Sequence, residues 1–425
     1  MKTLTAALAA AALLTLSACS TLADDAAAPA GDTAGHGYIE GASEMQEPQL
    51  RLATLDGAGT LSSFDLVSAE TVELDTAEPD TAEPDTAEPD TVAGALSTDG
   101  RYVFAANAHE GSVRIVDAGA WTVPHGDHSH YYLAESRIVG DVDGGPDAGA
   151  GLVAAGTVAT AIWFGDVGTG VVLDVDAMAG GEVSELARIE TAPHDGVLVP
   201  IGRHLVGSVA AEGDEHASSL RVYDLDGEPI AGAVADCVGA SGTATTRVGV
   251  VVGCADGAIL ATETDEGAVA FERIAYPAGT PVTDVATAFT GRPGRPAVAA
   301  VAGDRGAWLL DSRARTLALV ASPEPLVRAS AVGDDGDLVV AVGASGRLLV
   351  LGPEGLIAQT EPLLAPDIVD GRLADGVAVE VDISRAYVNS PSAGVVYEID
   401  YADDARVART LDVPGDAAHM VETGR

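Results

Sequence analysis

Short apolar runs punctuated by glycine and aspartate recur along this chain, and none carries the 3.6-residue periodicity of an amphipathic helix. Pairs of such runs joined by a Gly-containing turn, the second run ending in aspartate, appear as RYVFAANAHEGSVRIVD to Asp117, AIWFGDVGTGVVLDVD to Asp176 and HASSLRVYD to Asp224. The same phrase returns as AVAAVAGDRGAWLLD to Asp311 and AYVNSPSAGVVYEID to Asp400. Asp224, Asp311 and Asp400 are separated by 87 and 89 residues, two units of about 44 residues each. VGVVVGCADGAILATET and LVVAVGASGRLLVLG fill the gaps, and TLSSFD at Asp65 completes eight units.

Repeats of this length, with about four short strands each, predict an all-β fold: a single β-propeller of eight four-stranded blades, with seven as the alternative. One such sheet cannot cover both of its faces, whereas a ring stacks each face on its neighbour. The segment from Leu50 to Leu74 supplies only three strands, and the terminal HMVETGR from His419 has no partners of its own. The C-terminal strand is therefore expected to join the N-terminal blade and close the ring, because an open arc would leave unpaired edges. The propeller spans 49–425. Within it, 75–91 is a low-complexity loop built on three Asp-Thr-Ala-Glu-Pro copies, and 120–136 is a His-rich insertion.

The N-terminus adds an address. Lys2 and an apolar stretch ending at Leu16-Ser17-Ala18-Cys19 read as a lipoprotein signal over 1–18, too short to span a bilayer as a helix. Cys19 is the expected lipidation site, and 19–48 the tether that follows it. The protein is thus expected outside the cytoplasm, lipid-anchored to the cell membrane and touching it only through that anchor. A net charge of −43 argues against nucleic acid as a partner. Cys237 and Cys254 are expected to form a disulfide, as an isolated pair in an oxidising compartment.

Only nine histidines occur, yet three fall with an aspartate inside six residues: His125, Asp127, His128 and His130. Neutral imidazole is the commonest biological zinc ligand, and ligands this close can share an ion without long loops to order. His194 and His419 each precede an inner strand, and His109 and His216 sit on turns of the same rim, so these four form a second candidate set, with Asp195 beside His194. The 125–130 cluster belongs between the third and fourth strands of blade 2, on the opposite rim, so two metal positions are possible.

GAWTVPHGDHSHYY, the PHDGVLVPIG run, the spacing of the two cysteines and the terminal HMVETGR together resemble the periplasmic zinc metallochaperones of the AztD type, over nearly the whole mature chain. Shorter phrases also resemble YVTN-type propeller repeats. The family resemblance implies a monomer that carries zinc and hands it to the solute-binding protein of a zinc ABC importer. His125, His128 and His130 are implied as ligands through HGDHSHYY, His194 through PHDG and His419 through the terminal motif. Ser241 and Asp195 depart from the family pattern, each standing where a histidine is common.

Two other functions are open. A metal-dependent hydrolase or lactonase would need a general base such as Glu110 or Asp195 beside an open zinc position. A metal-free interaction scaffold needs neither. No nucleophile elbow is present, since Gly239-Ala-Ser-Gly242 and Gly343-Ala-Ser-Gly346 lack the spacing, so no enzymatic activity is expected.

Overall fold

The recurring aspartates are turn-makers. Asp65 Oδ1 accepts the amides of Val67 and Ser68, Asp224 Oδ1 those of Asp226 and Glu228, and Asp311 Oδ1 those of Arg313 and Ala314. A carboxylate that takes amides two to four residues on satisfies donors the strand leaves open and reverses the chain. In the third repeat this role falls to Asp174 rather than Asp176. Asp174 ends its strand and accepts the amide of Asp176, which caps the six-residue helix Val175–Gly180.

The structure, a computed structural model, describes residues 37–75, 94–125 and 128–425. The signal segment, Cys19, most of the tether, the Asp-Thr-Ala-Glu-Pro loop beyond Asp75, and Asp127 lie outside the described residues. Ile39–Arg425 form one unit. Between the turns, strands pair antiparallel with their chain neighbours into successive sheets. The first comprises Arg51–Leu55, Leu61–Asp65 and Thr71–Asp75. Its fourth member is the C-terminal strand His419–Thr423, paired with Arg51–Leu55 in the register Leu55↔His419 to Arg51↔Thr423. The second comprises Gly94–Thr98, Tyr102–Asn107, Ser112–Asp117 and Arg137–Asp143. Six more follow, ending with the sheet of Val379–Val381, Ala386–Ser390, Val395–Asp400 and Arg406–Asp412.

The sixth sheet departs from the expected four strands. It holds three, Ala297–Val301, Gly306–Asp311 and Thr316–Ala321, and its inner position is reduced to single bridges from Thr290 to Ala299 and from Gly291 to Ala331. The cause is the run Gly291-Arg-Pro-Gly-Arg-Pro296: neither proline has an amide to give a ladder, and glycine weakens a strand interior.

The core lies between sheets. Each of its clusters draws on two successive sheets. Two further clusters join the eighth sheet to the first and the first to the second. Small side chains permit close stacking, as where Ala299, Ala307, Ala331 and Ala341 meet between the sixth and seventh sheets. Larger buried residues such as Phe104, Ile115, Ile162 and Trp308 fill what remains, each stabilising the fold by about 1.5–3 kcal/mol. Cys237 and Cys254 form a disulfide between the end of the fourth sheet and the second strand of the fifth, consistent with an oxidising compartment.

Candidate metal centre

The 120–136 insertion folds as a hairpin of Ala120–His125 and His128–Leu133, set between the third and fourth strands of the second sheet. Gly119 makes the departure possible. It lies at φ +74°, and a Cβ there would meet the Ala134 carbonyl oxygen at 2.5 Å. Its amide donates to Asp117 Oδ1, and the Gly119 carbonyl accepts the amide of Ala134 at 2.7 Å. A third strand, Ser43–Met45, pairs with the other edge of His128–Leu133. These residues were expected within the tether.

Register decides which side chains share a face. His125 opposes His128, Val123 opposes His130, Trp121 opposes Tyr132, and Glu44 also opposes Tyr132. Directly opposed residues in an antiparallel ladder point the same way, and alternate residues on one strand do too. His125, His128, His130, Trp121, Tyr132 and Glu44 therefore occupy one face. The base of that face is rigid. Trp121 and Tyr132 stack with ring centroids 5.3 Å apart, and the Arg101 guanidinium lies 4.0 Å from the Trp121 ring. Arg101 is itself fixed by a 2.7 Å ion pair with the buried Asp117. Thr122 Oγ1 donates to the Gly424 carbonyl at 2.8 Å, which ties the hairpin to the C-terminus. Burial, with the Glu44 carboxylate adding to it, pushes the Tyr132 phenol above its ordinary value, so it stays a neutral donor.

At the tip, the rings of His125, His128 and His130 lie 4.9 to 5.8 Å apart between centroids. One ligand nitrogen from each falls within 4.8 Å of the others, and among the described residues this is the one group of three metal-ligating side chains so gathered. His130 Nδ1 is 2.7 Å from Glu44 Oε1. His125 and His128 are exposed and His130 half-buried. A metal bonds imidazole nitrogen at about 2.0–2.1 Å, so tetrahedral donors stand roughly 3.4 Å apart, within reach of modest rotations, chiefly of the exposed His125 and His128 rings. The donor set fits a borderline divalent ion, and among the described residues it supplies three of the four ligands of a tetrahedral site.

The second expected set does not assemble. His194 is buried against Trp163, with Nδ1 2.7 Å from the Ala192 carbonyl and Nε2 2.8 Å from Ser208 Oγ. Both ring nitrogens are thus committed to the protein, and the position before an inner strand sends the ring between sheets instead of toward the axis. Asp195 and His216 face one another at 3.8 Å as an exposed pair, and His109 is an exposed turn residue whose amide is held by Asn107 Oδ1. His419 lines a cavity of about 340 Å³ with Leu96, Thr290, Arg328 and Glu380. Burial pushes its imidazole below the ordinary value despite Asp375 and Asp416 nearby, so it is neutral near pH 7, but it brings no second histidine with it.

No family model and no curated protein matches this chain. Solved structures do. The crystal structure of Citrobacter koseri AztD superposes with a TM-score of 0.71 at 19% identity, covering 89% of this chain and 98% of that one. The chain is similar in fold to AztD. The apo form of the same protein gives a TM-score of 0.72 at 18% identity with the same coverage. A more distant likeness, TM-score 0.53 at 14% identity, is to the dihydro-heme d1 dehydrogenase NirN, covering 86% of this chain and 74% of that one. The architecture is accordingly all-β and propeller-like. Glu44 was not visible to sequence reasoning, since 86 residues separate it from His130 and only the strand register brings them together.

Proposed function

We propose that this chain is an extracytoplasmic zinc metallochaperone, built on a ring of eight blades and carrying its ion at the tip of the second-sheet hairpin. The observation that carries the reading is the gathering of His125, His128 and His130 on one exposed face. Ring closure is supported by the pairing of His419–Thr423 with the first sheet and by apolar clusters that run through every successive pair of sheets and back to the first. The likeness of fold to AztD, together with the HGDHSHYY motif, favours a carrier over an enzyme, and zinc is the ion that the family resemblance implies.

Transfer follows from the exposure of the site. The imidazoles hold the ion on an open face where a ligand from the acceptor can reach it, so a new bond forms before the last old one breaks and no free aqueous ion appears. The acceptor in this reading is the solute-binding protein of a zinc ABC importer, and Cys19 anchors the monomeric carrier to the membrane beside it. Elemental analysis of purified protein loaded with zinc tests the assignment. The wild type is expected to retain one zinc at the hairpin that the His125→Ala, His128→Ala, His130→Ala triple variant lacks. Equal zinc in the two proteins overturns it.

A further inference from the structure

We propose that Glu44 is a positioning residue of the hairpin site, which it completes from outside the His-rich segment by holding the tautomer of His130. The inference rests on the metal-carrying reading of the hairpin. The carboxylate Oε1 lies 2.7 Å from His130 Nδ1. A carboxylate only accepts, so in the neutral ring the proton sits on Nδ1 and the lone pair on Nε2, the nitrogen through which this tautomer would bind an ion. Glu44 is not among the three side chains whose ligand atoms converge, so it acts through His130 and not as a ligand. Carboxylate-to-imidazole contacts of this kind fix ring orientation and raise the basicity of the distal nitrogen.

Placement supports the assignment. Glu44 occupies the middle of the three-residue strand Ser43–Met45, opposite Tyr132, which puts its side chain on the histidine face. The other acids of this segment, Glu40 and Glu47, lie outside that strand. The strand thus delivers one carboxylate to the face, in hydrogen-bonding reach of His130. His130 also stacks over Tyr132 with centroids 6.4 Å apart, so its ring is gripped on one side and oriented at one edge.

The test uses the full mature chain and zinc alone, with affinity read by competition against a chromophoric chelator. Glu44→Ala should weaken zinc binding by about 10- to 100-fold, and Glu44→Gln by less, because an amide oxygen can still accept from Nδ1 but carries no charge. Glu47→Ala should leave affinity unchanged. Nitrogen-15 shifts of the His130 ring supply a second readout: wild type should show the Nδ1–H form, and Glu44→Ala should lose that preference. Wild-type affinity retained in Glu44→Ala, or an unchanged tautomer, overturns the role of Glu44 while leaving the hairpin site intact. Wild-type protein that binds no zinc at the hairpin removes the underlying reading instead.

Discussion

Glu422 is a buried acid that the fold holds at a cost, and replacing it with glutamine should stabilise the protein at neutral and alkaline pH. The residue is 0% exposed on the C-terminal strand, and neither carboxylate oxygen makes a hydrogen bond. Arg425 approaches to 3.3 Å, but its hydrogen bonds go to the Glu380 carboxylate and to the backbone carbonyls of Val381 and Glu422. Burial pushes Glu422 from 4.5 up to about 7 against the pull of Arg425, with Glu380 and Asp382 adding to the rise. A raised acid keeps its proton in the folded state where the unfolded chain has already shed it. Its contribution to stability is therefore present below pH 4.5 and lost as pH rises to 7. A shift of this size corresponds to about 3 kcal/mol across that window. Glutamine keeps the shape and removes the titration. Urea unfolding of both proteins from pH 4.5 to 8 should give similar stabilities at the acid end and a gap opening toward about 3 kcal/mol in favour of Glu422→Gln at the alkaline end. Parallel curves, or a variant less stable at pH 8, would show that the Arg425 ion pair governs this site and that the burial argument is wrong.

Two further outcomes follow from contacts away from the hairpin. Replacing Cys237 and Cys254 with serine opens a crosslink between residues 17 apart, and urea unfolding under oxidising conditions should show a loss of about 3 kcal/mol, with no loss if the bridge constrains nothing. Ser208→Ala deprives the buried His194 of its Nε2 partner and should lower stability by about 1–3 kcal/mol while leaving zinc content unchanged; a loss of zinc would return His194 to the metal site.

Much of the fold was legible because its signals are local. Alternating short runs and turn aspartates mark the strands, and a leftover C-terminal strand beside a three-strand first unit points to their pairing. The His cluster was legible for the same reason: its three imidazoles lie on two strands adjacent in sequence, where period-2 alternation settles their face. What escaped depends on long-range register or on the third dimension. Glu44 sits in a polar segment whose composition reads as tether, and nothing in Ser-Glu-Met announces a strand. His194 precedes an inner strand as expected, yet whether its ring turns to the axis or to Trp163 and Ser208 is a packing outcome with no linear trace. The lost strand of the sixth sheet is different. Two prolines and two glycines in 291–296 carried that signal, and the repeat spacing outweighed it.

Zinc-edge anomalous diffraction from crystals of the zinc-loaded protein locates the ion itself. A hairpin zinc site should give a single strong peak about 2.0–2.1 Å from one nitrogen each of His125, His128 and His130, with Glu44 against the far nitrogen of His130. A peak elsewhere with the three rings apart, or no peak in loaded crystals, would contradict it.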